Sequence, residues 1–383
     1  MELTEDVICY IKENQREIRK LLLELAAIPS PSNHEEKRAA FCKKWLEKQG
    51  AEGVFIDDAL NVIYPVGVER DIPLVVFMAH TDVVFPDTEA FSVTTEAGRI
   101  KAPGIGDDTA NLCNLLFVAK YIAEKRIVPE HVGLLLVANA GEEGLGNLKG
   151  SRRICQEYGD RIQEFISFDL YMQDIYTDAV GSKRLKVEVT TEGGHSYGDF
   201  GNGNAIVYLA SMIQELYQLV PPCSGKKTTY NVGIIQGGTS VNTIAQKAKM
   251  LYEYRSDSRE DMEYMQKYFD SIIELYRHKG IVIQVNSVGE RPCNGIFDRK
   301  KQKALEDRAA RLIKKYAKFD PVRRPGSTDC NIPLSMGIPA LCLGTICGGG
   351  AHTREEWIEE DSLEAGHCVA FGMILFYFAN GVK

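Results

Sequence analysis

The chain has 383 residues, 44% hydrophobic and 26% charged, enough apolar material to bury a sizeable core across two domains. Its formal net charge of −8 argues against nucleic acid or an anionic membrane as partner, because both call for a basic face. Ten cysteines are scattered without a CxxC pair, which argues against a disulfide framework or zinc ribbon and for a cytoplasmic protein with buried free thiols.

The first 28 residues mix charged and apolar positions and have no basic segment followed by an apolar core. They are expected to form an amphipathic helix, not a signal peptide or membrane span. Short apolar runs follow at 74–80 (LVVFMAH), 133–140 (GLLLVANA), 165–170 (FISFDL) and 339–344 (PALCLG), and they predict buried strands of parallel type. Between the first two, ANLCNLLFVAKYIAEK at 110–125 repeats its apolar positions at helical spacing, as a crossover helix of an α/β layer structure does.

From about 182 to 290 the pattern changes to strand, helix, strand, strand, helix, strand, the split unit of ferredoxin-like α+β domains. A helical stretch, KKQKALEDRAARLIKKYAKF, and the PALCLG strand then resume the first pattern. The expectation is an α/β domain from 1–180 and 291–383, with 181–290 inserted into it.

The chemistry-bearing residues stand at the ends of the predicted strands, where open α/β sheets place their ligands. His80 closes LVVFMAH, and Asp82, two residues on in an extended segment, faces the same way and can orient the imidazole. Asp107 and Asp108, in PGIGDD, precede the crossover helix, where adjacent acids often serve only as helix caps. Glu142 and Glu143 follow VANAG, and two carboxylates side by side repel unless a cation or shared proton relieves them. Asp169 ends the apolar FISFD and, if buried, needs a partner. His352 sits in the glycine run CGGGAHT, where backbone can approach closely. Together, two imidazoles and three carboxylates (His80, Asp107, Glu143, Asp169, His352) suit zinc, cobalt or manganese.

With these residues together, the sequence resembles the co-catalytic dizinc aminopeptidase, carboxypeptidase and aminoacylase family that includes peptidase T. The markers are AHTDVV, PGIGDD, GEEGLGNLKG, SFDL, GGHSYG, the R-x-D run at Arg255, GSTDCN and GGGAHT, spread over nearly the whole chain. The resemblance implies a mixed-sheet catalytic domain carrying two divalent ions, zinc by preference. Asp107 would bridge the ions, His80 and Asp169 would complete one site, and Glu143 and His352 the other. It further implies a cis Asp107–Asp108 peptide and amide hydrolysis by a metal-bridged hydroxide, with Glu142 as general base and Asp82 orienting His80. His195, in GGHSYG, would stabilise the oxyanion; Arg255 would clamp a substrate carboxylate, with Asn242 a neighbouring contact. GSTDCN would form a loop on the substrate side of the metals. Relatives of this kind often form homodimers through the inserted domain. Thr109 stands where many relatives have lysine, so any role of that lysine does not transfer.

The substrates so implied are short peptides cleaved by an exopeptidase of tripeptidase or aminopeptidase type, or, as the alternative, N-acyl or N-carbamoyl amino acids. The chain has no GxSxG elbow, which argues against a serine nucleophile.

Overall fold

A strand that is apolar on both faces must be covered on both, and four such strands lie side by side at the centre of this protein. The structure, a computed structural model, describes residues 2–68, 71–222 and 224–378. Strands Gly133–Asn139, Leu74–His80, Ile162–Phe168 and Ala340–Leu343 are neighbours in that order and run parallel. Every residue of Leu74–His80 and Gly133–Asn139 is buried. Val62–Val66 and Phe55–Ile56 extend one edge in antiparallel fashion. At the other edge Asp174–Ala179 pairs antiparallel to Ala340–Leu343 and parallel to Val322–Gly326, so the eight-stranded sheet is mixed.

Alternate residues of these strands feed two cores. Val75, Phe77, Leu134, Leu136 and Phe168 point to the layer formed by helices Gln15–Ala27, Ala110–Lys125, Arg299–Ala317 and Leu363–Leu375. Val76, Met78, Leu135, Val137 and Phe165 point to the layer of Lys149–Tyr158 and Asn331–Ser335. The crossover helix runs over the predicted span, Ala110–Lys125. The single N-terminal helix expected from the sequence is instead two, Glu5–Glu13 and Gln15–Ala27. At the break, the Asn14 and Gln15 side-chain amides donate to the carbonyls of Tyr10 and Ile11, both at 2.9 Å. These are the acceptors a continuous helix offers to its own amides.

The chain divides into two compact units, Met1–Ala179 with Gly295–Lys383, and Val180–Asn294. The second is ferredoxin-like. Its strands Gly181–Thr190, Thr228–Gly237, Lys247–Ser256 and Val282–Arg291, numbered in chain order, form an antiparallel sheet in the spatial order 2-3-1-4. Helices Ala205–Leu216 and Arg259–His278 cover one face, packing Leu209, Met212, Met265 and Phe269 on Leu185, Val187, Met250 and Tyr252. Asn204 and Ser258 cap them, Asn204 accepting from the Ile206 and Val207 amides and Ser258 from the Asp261 amide. The unit runs past 290 to Asn294 because Arg291 still pairs with Ser182, and the Cys293 thiol donates to the Ser256 carbonyl. No helix among the described residues is long and apolar enough to cross a membrane.

Candidate metal centre

Parallel strands discharge their C-terminal ends at one edge of the sheet, and that edge gathers the predicted ligands. His80 is the last residue of its strand, Asp169 directly follows Ile162–Phe168, Glu142 and Glu143 follow Gly133–Asn139, and His352 lies in the segment beyond Ala340–Leu343. Asp107 comes from the tight turn Ile105–Thr109 that opens the crossover helix, and its peptide bond to Asp108 is cis.

The two carboxylate oxygens of Asp107 face different partners. Oδ1 lies 3.0 Å from His80 Nε2, and Oδ2 lies 3.2 Å from His352 Nε2. His352 Nε2 is also 3.1 Å from Glu143 Oε1, and His80 Nε2 is 3.7 Å from Asp169 Oδ1. The five predicted ligands thus form two groups that share Asp107. Donor atoms of His80, Asp107 and Glu143 lie within 4.8 Å of one another, as do those of His80, Asp108 and Asp169. Asp108 Oδ2 accepts the His80 amide at 2.8 Å, and its Oδ1, like that of Asp169, is buried with no hydrogen-bond partner.

The electrostatics are those of acids crowded without enough cations. Burial, then the charge of Asp107, pushes Glu143 up to about 8 and Asp169 up to about 7. Burial raises Asp107 too, but hydrogen bonds from His352 and His80 outweigh it and hold that carboxyl below its usual range. His352 is raised to about 11 by its hydrogen bonds to Asp107 and Glu143. Asp169 Oδ1 is buried with no hydrogen-bond partner. An orphaned carboxylate oxygen, raised acids and two imidazoles directed at those acids are what a pair of divalent ions would satisfy, so the residues fit such ions.

Asp82 does more than the sequence suggested. His80 Nδ1 lies 2.9 Å from the Asp82 backbone carbonyl and 3.5 Å from its carboxylate. A carbonyl only accepts, so Nδ1 carries a proton and Nε2 is the position left for a cation. The Asp82 carboxylate instead receives the backbone amides of Glu142 at 3.0 Å and Glu143 at 2.9 Å, plus the Ser32 hydroxyl at 2.7 Å. Thr109 donates to the Gly104 carbonyl and accepts from the fully buried Arg38.

Two further acids escaped sequence reasoning. Asp329, in GSTDCN, is fully buried, accepts from Asn139 Nδ2 at 2.6 Å, and is raised by burial and then by the charge of Glu142. Glu356 is also fully buried and receives three backbone amides of the Asp107 turn. Its sequence context, TREEW, is that of a solvated charged loop, and only the glycines of PGIGDD hinted at a close neighbour.

His195, Asn242 and Arg255 lie in the other unit. His195 is exposed, and its Nδ1 accepts the amides of Tyr197 and Gly198, both at 3.3 Å, which leaves the ring proton on Nε2. His195 pairs with Thr243 across a two-residue ladder, and the Asn242 carbonyl accepts the Ser196 amide, so these two predicted residues share one surface turn. Arg255 lies in strand Lys247–Ser256 and makes two hydrogen bonds to Glu253, both at 3.1 Å.

An α/β sheet whose strand ends gather an aspartate facing two histidines, together with further acids, is the setting of a two-metal hydrolase. Comparison with known proteins agrees. The model of Peptidase family M20/M25/M40 matches residues 76–375, and the chain belongs to that family; it is a dinuclear metal-dependent peptidase or amidohydrolase. Uncharacterized protein YqjE of Bacillus subtilis (strain 168) is 25% identical, covering 90% of this chain and 93% of its own. A probable succinyl-diaminopimelate desuccinylase of Staphylococcus aureus (strain MSSA476) is 21% identical over 91% of this chain and 94% of its own. The crystal structure of a tripeptidase from Staphylococcus aureus subsp. aureus mu50 superposes with a TM-score of 0.76 at 22% identity, covering 95% of this chain and 98% of that one.

Proposed function

We propose that this protein is an exopeptidase that releases a terminal amino acid from short peptides, of tripeptidase or aminopeptidase type, with two zinc ions in its resting form and cobalt or manganese as substitutes. The observation that carries the two-ion reading is Asp107, whose oxygens are each directed at a different histidine. In this reading His80, Asp107 and Asp169 hold one ion, and His352, Asp107 and Glu143 hold the other. Bound divalent ions supply Lewis acidity, acidifying water and offsetting negative charge on the scissile carbonyl oxygen.

The remaining work falls to side chains of this chain. Glu142 removes a proton from the attacking water and delivers it to the leaving nitrogen. Asp82 fixes the backbone from which Glu142 projects, since its carboxylate binds the Glu142 and Glu143 amides. His195, with its proton on Nε2, is a donor for the developing oxyanion. Arg255 recognises a substrate carboxylate through the guanidinium N–H groups that Glu253 leaves over. The unit that gathers these acids and histidines acts as the catalytic domain, and Val180–Asn294 as a homodimer contact.

The desuccinylase relative supports a second reading, hydrolysis of an N-acyl amino acid. A panel of di- and tripeptides and N-acetyl and N-succinyl amino acids, assayed with metal content by elemental analysis, separates the two. Two ions per chain with peptide cleavage supports the first reading, and N-acyl cleavage alone shifts it to the second. In the same assay Glu142→Ala keeps both ions and loses roughly 10²–10⁴-fold in kcat. Undiminished turnover in that variant would place the base elsewhere.

A further inference from the structure

The turn that carries Asp107 is wrapped around one buried carboxylate from a distant part of the chain. Glu356 Oε1 accepts the Asp107 amide at 2.8 Å and the Gly106 amide at 3.0 Å, and Oε2 accepts the Gly104 amide at 2.8 Å. The Tyr171 hydroxyl donates to the same Oε1 at 3.3 Å. The fit is close: a Cβ on Gly106 would come within 2.9 Å of Oε1 and 2.8 Å of the Tyr171 ring, and Gly104 has φ of 70°. PGIGDD therefore needs its two glycines where the backbone folds over Glu356.

Glu356 also belongs to the segment of His352. Its own amide closes a turn onto the Thr353 carbonyl, and the Thr353 amide closes the preceding turn onto the Gly350 carbonyl, with His352 inside that second turn. Its carbonyl accepts the Ala102 amide, a second tie to the segment leading into PGIGDD. One residue thus holds the Asp107 turn by its side chain and is built into the loop that presents His352. The far side of the turn is held independently, by Asn111 Nδ2 donating to the Gly106 carbonyl at 3.2 Å.

We infer that Glu356 is a positioning residue for the metal centre: its carboxylate sets the place of Asp107 and locks the Asp107 turn to the His352 loop, so that one side chain governs the affinity for both ions. Outer-shell partners of this kind are worth about 10–100-fold in metal affinity or activity. The inference rests on Asp107 and His352 being metal ligands.

Glu356→Gln is the direct test, because it keeps shape but turns an N–H₂ group toward amides that are themselves donors. The measurement is cobalt binding to metal-free protein, followed by visible absorption and by competition with a chelator, alongside the melting temperature of the metal-free form. The expected result is that both ions bind about 10–100-fold more weakly, with an altered cobalt spectrum. Arg354→Ala, on the same loop but paired at the surface with Asp87, leaves affinity and spectrum as in the parent. Parent-like affinity and spectrum in Glu356→Gln, with only the melting temperature lowered, would reduce Glu356 to a structural role and overturn the inference. Should the glutamine variant not fold, Glu356→Asp is read the same way. It keeps the charge but is one methylene too short to reach all three amides, so weakened binding supports the inference and unchanged binding overturns it. A parent protein that binds no cobalt would instead sink the functional reading itself.

Discussion

The two units hold their candidate chemistry in opposite ways. In the larger unit the candidate ligands His80, Asp107, Glu143 and Asp169 are buried, and each is bound to another group or, like Asp169 Oδ1, conspicuously short of one. In the ferredoxin-like unit His195 and Asn242 stand on an exposed turn whose hydrogen bonds fix a ring proton but bury nothing. The first arrangement is built by the fold core and asks for cations. The second is, in the proposed reading, a surface donor for a reacting group, and damage to it should leave the metal centre alone.

The sharpest way to break that contrast is Asp107→Ala. Loss of the shared carboxylate should remove both ions and cut kcat by roughly 10⁴-fold or more, since residues acting as a unit fail together. Elemental analysis of the purified variant checks it, and retention of two ions would show that Asp107 is not shared. A smaller effect is expected of His195→Ala, about 10²–10³-fold in kcat with ions and melting temperature unchanged. An unaltered kcat would remove His195 from the reaction.

The smallest effect is on stability and concerns the metal-free protein. Glu143 and Asp169 are raised to about 8 and 7, so the folded state binds their protons more tightly than the unfolded chain. Their contribution is therefore present in acid and lost as pH rises from the ordinary carboxylate range toward 8. His352, raised to about 11, acts in the same direction above its ordinary value. Melting temperatures of the metal-free form should fall between pH 5 and pH 8. Metal-loaded protein should show a flatter profile, because ions replace those protons. Equal profiles for the two forms would mean the acids are not crowded.

Much of this was legible in the sequence, for a physical reason. Runs such as LVVFMAH are strands covered on both faces, and a histidine or acid at the end of one has few places to go but the sheet edge. What could not be read were contacts set by tertiary packing. Nothing in HTD says that the Asp82 carboxylate will receive the amides of Glu142 and Glu143, far along the chain. Glu356 looks like one more charge in TREEW until the fold brings it under the Asp107 turn. The break at Asn14 was hidden because both halves of the N-terminal segment keep helical spacing, and the Asn14 amide still reaches the Tyr10 carbonyl across it.

The pairing of Ser182 with Arg291 has a consequence for how such a chain can change. The first and last strands of the ferredoxin-like unit are immediate neighbours in its sheet, so the chain enters and leaves that unit side by side. A module with adjacent splice points can be lengthened, trimmed or exchanged at little loop-closure cost to its host. Joining residues 179 and 295 through a short linker would give the host an ordinary surface loop. The metal-gathering sheet and the ferredoxin-like module are in that sense separately heritable parts.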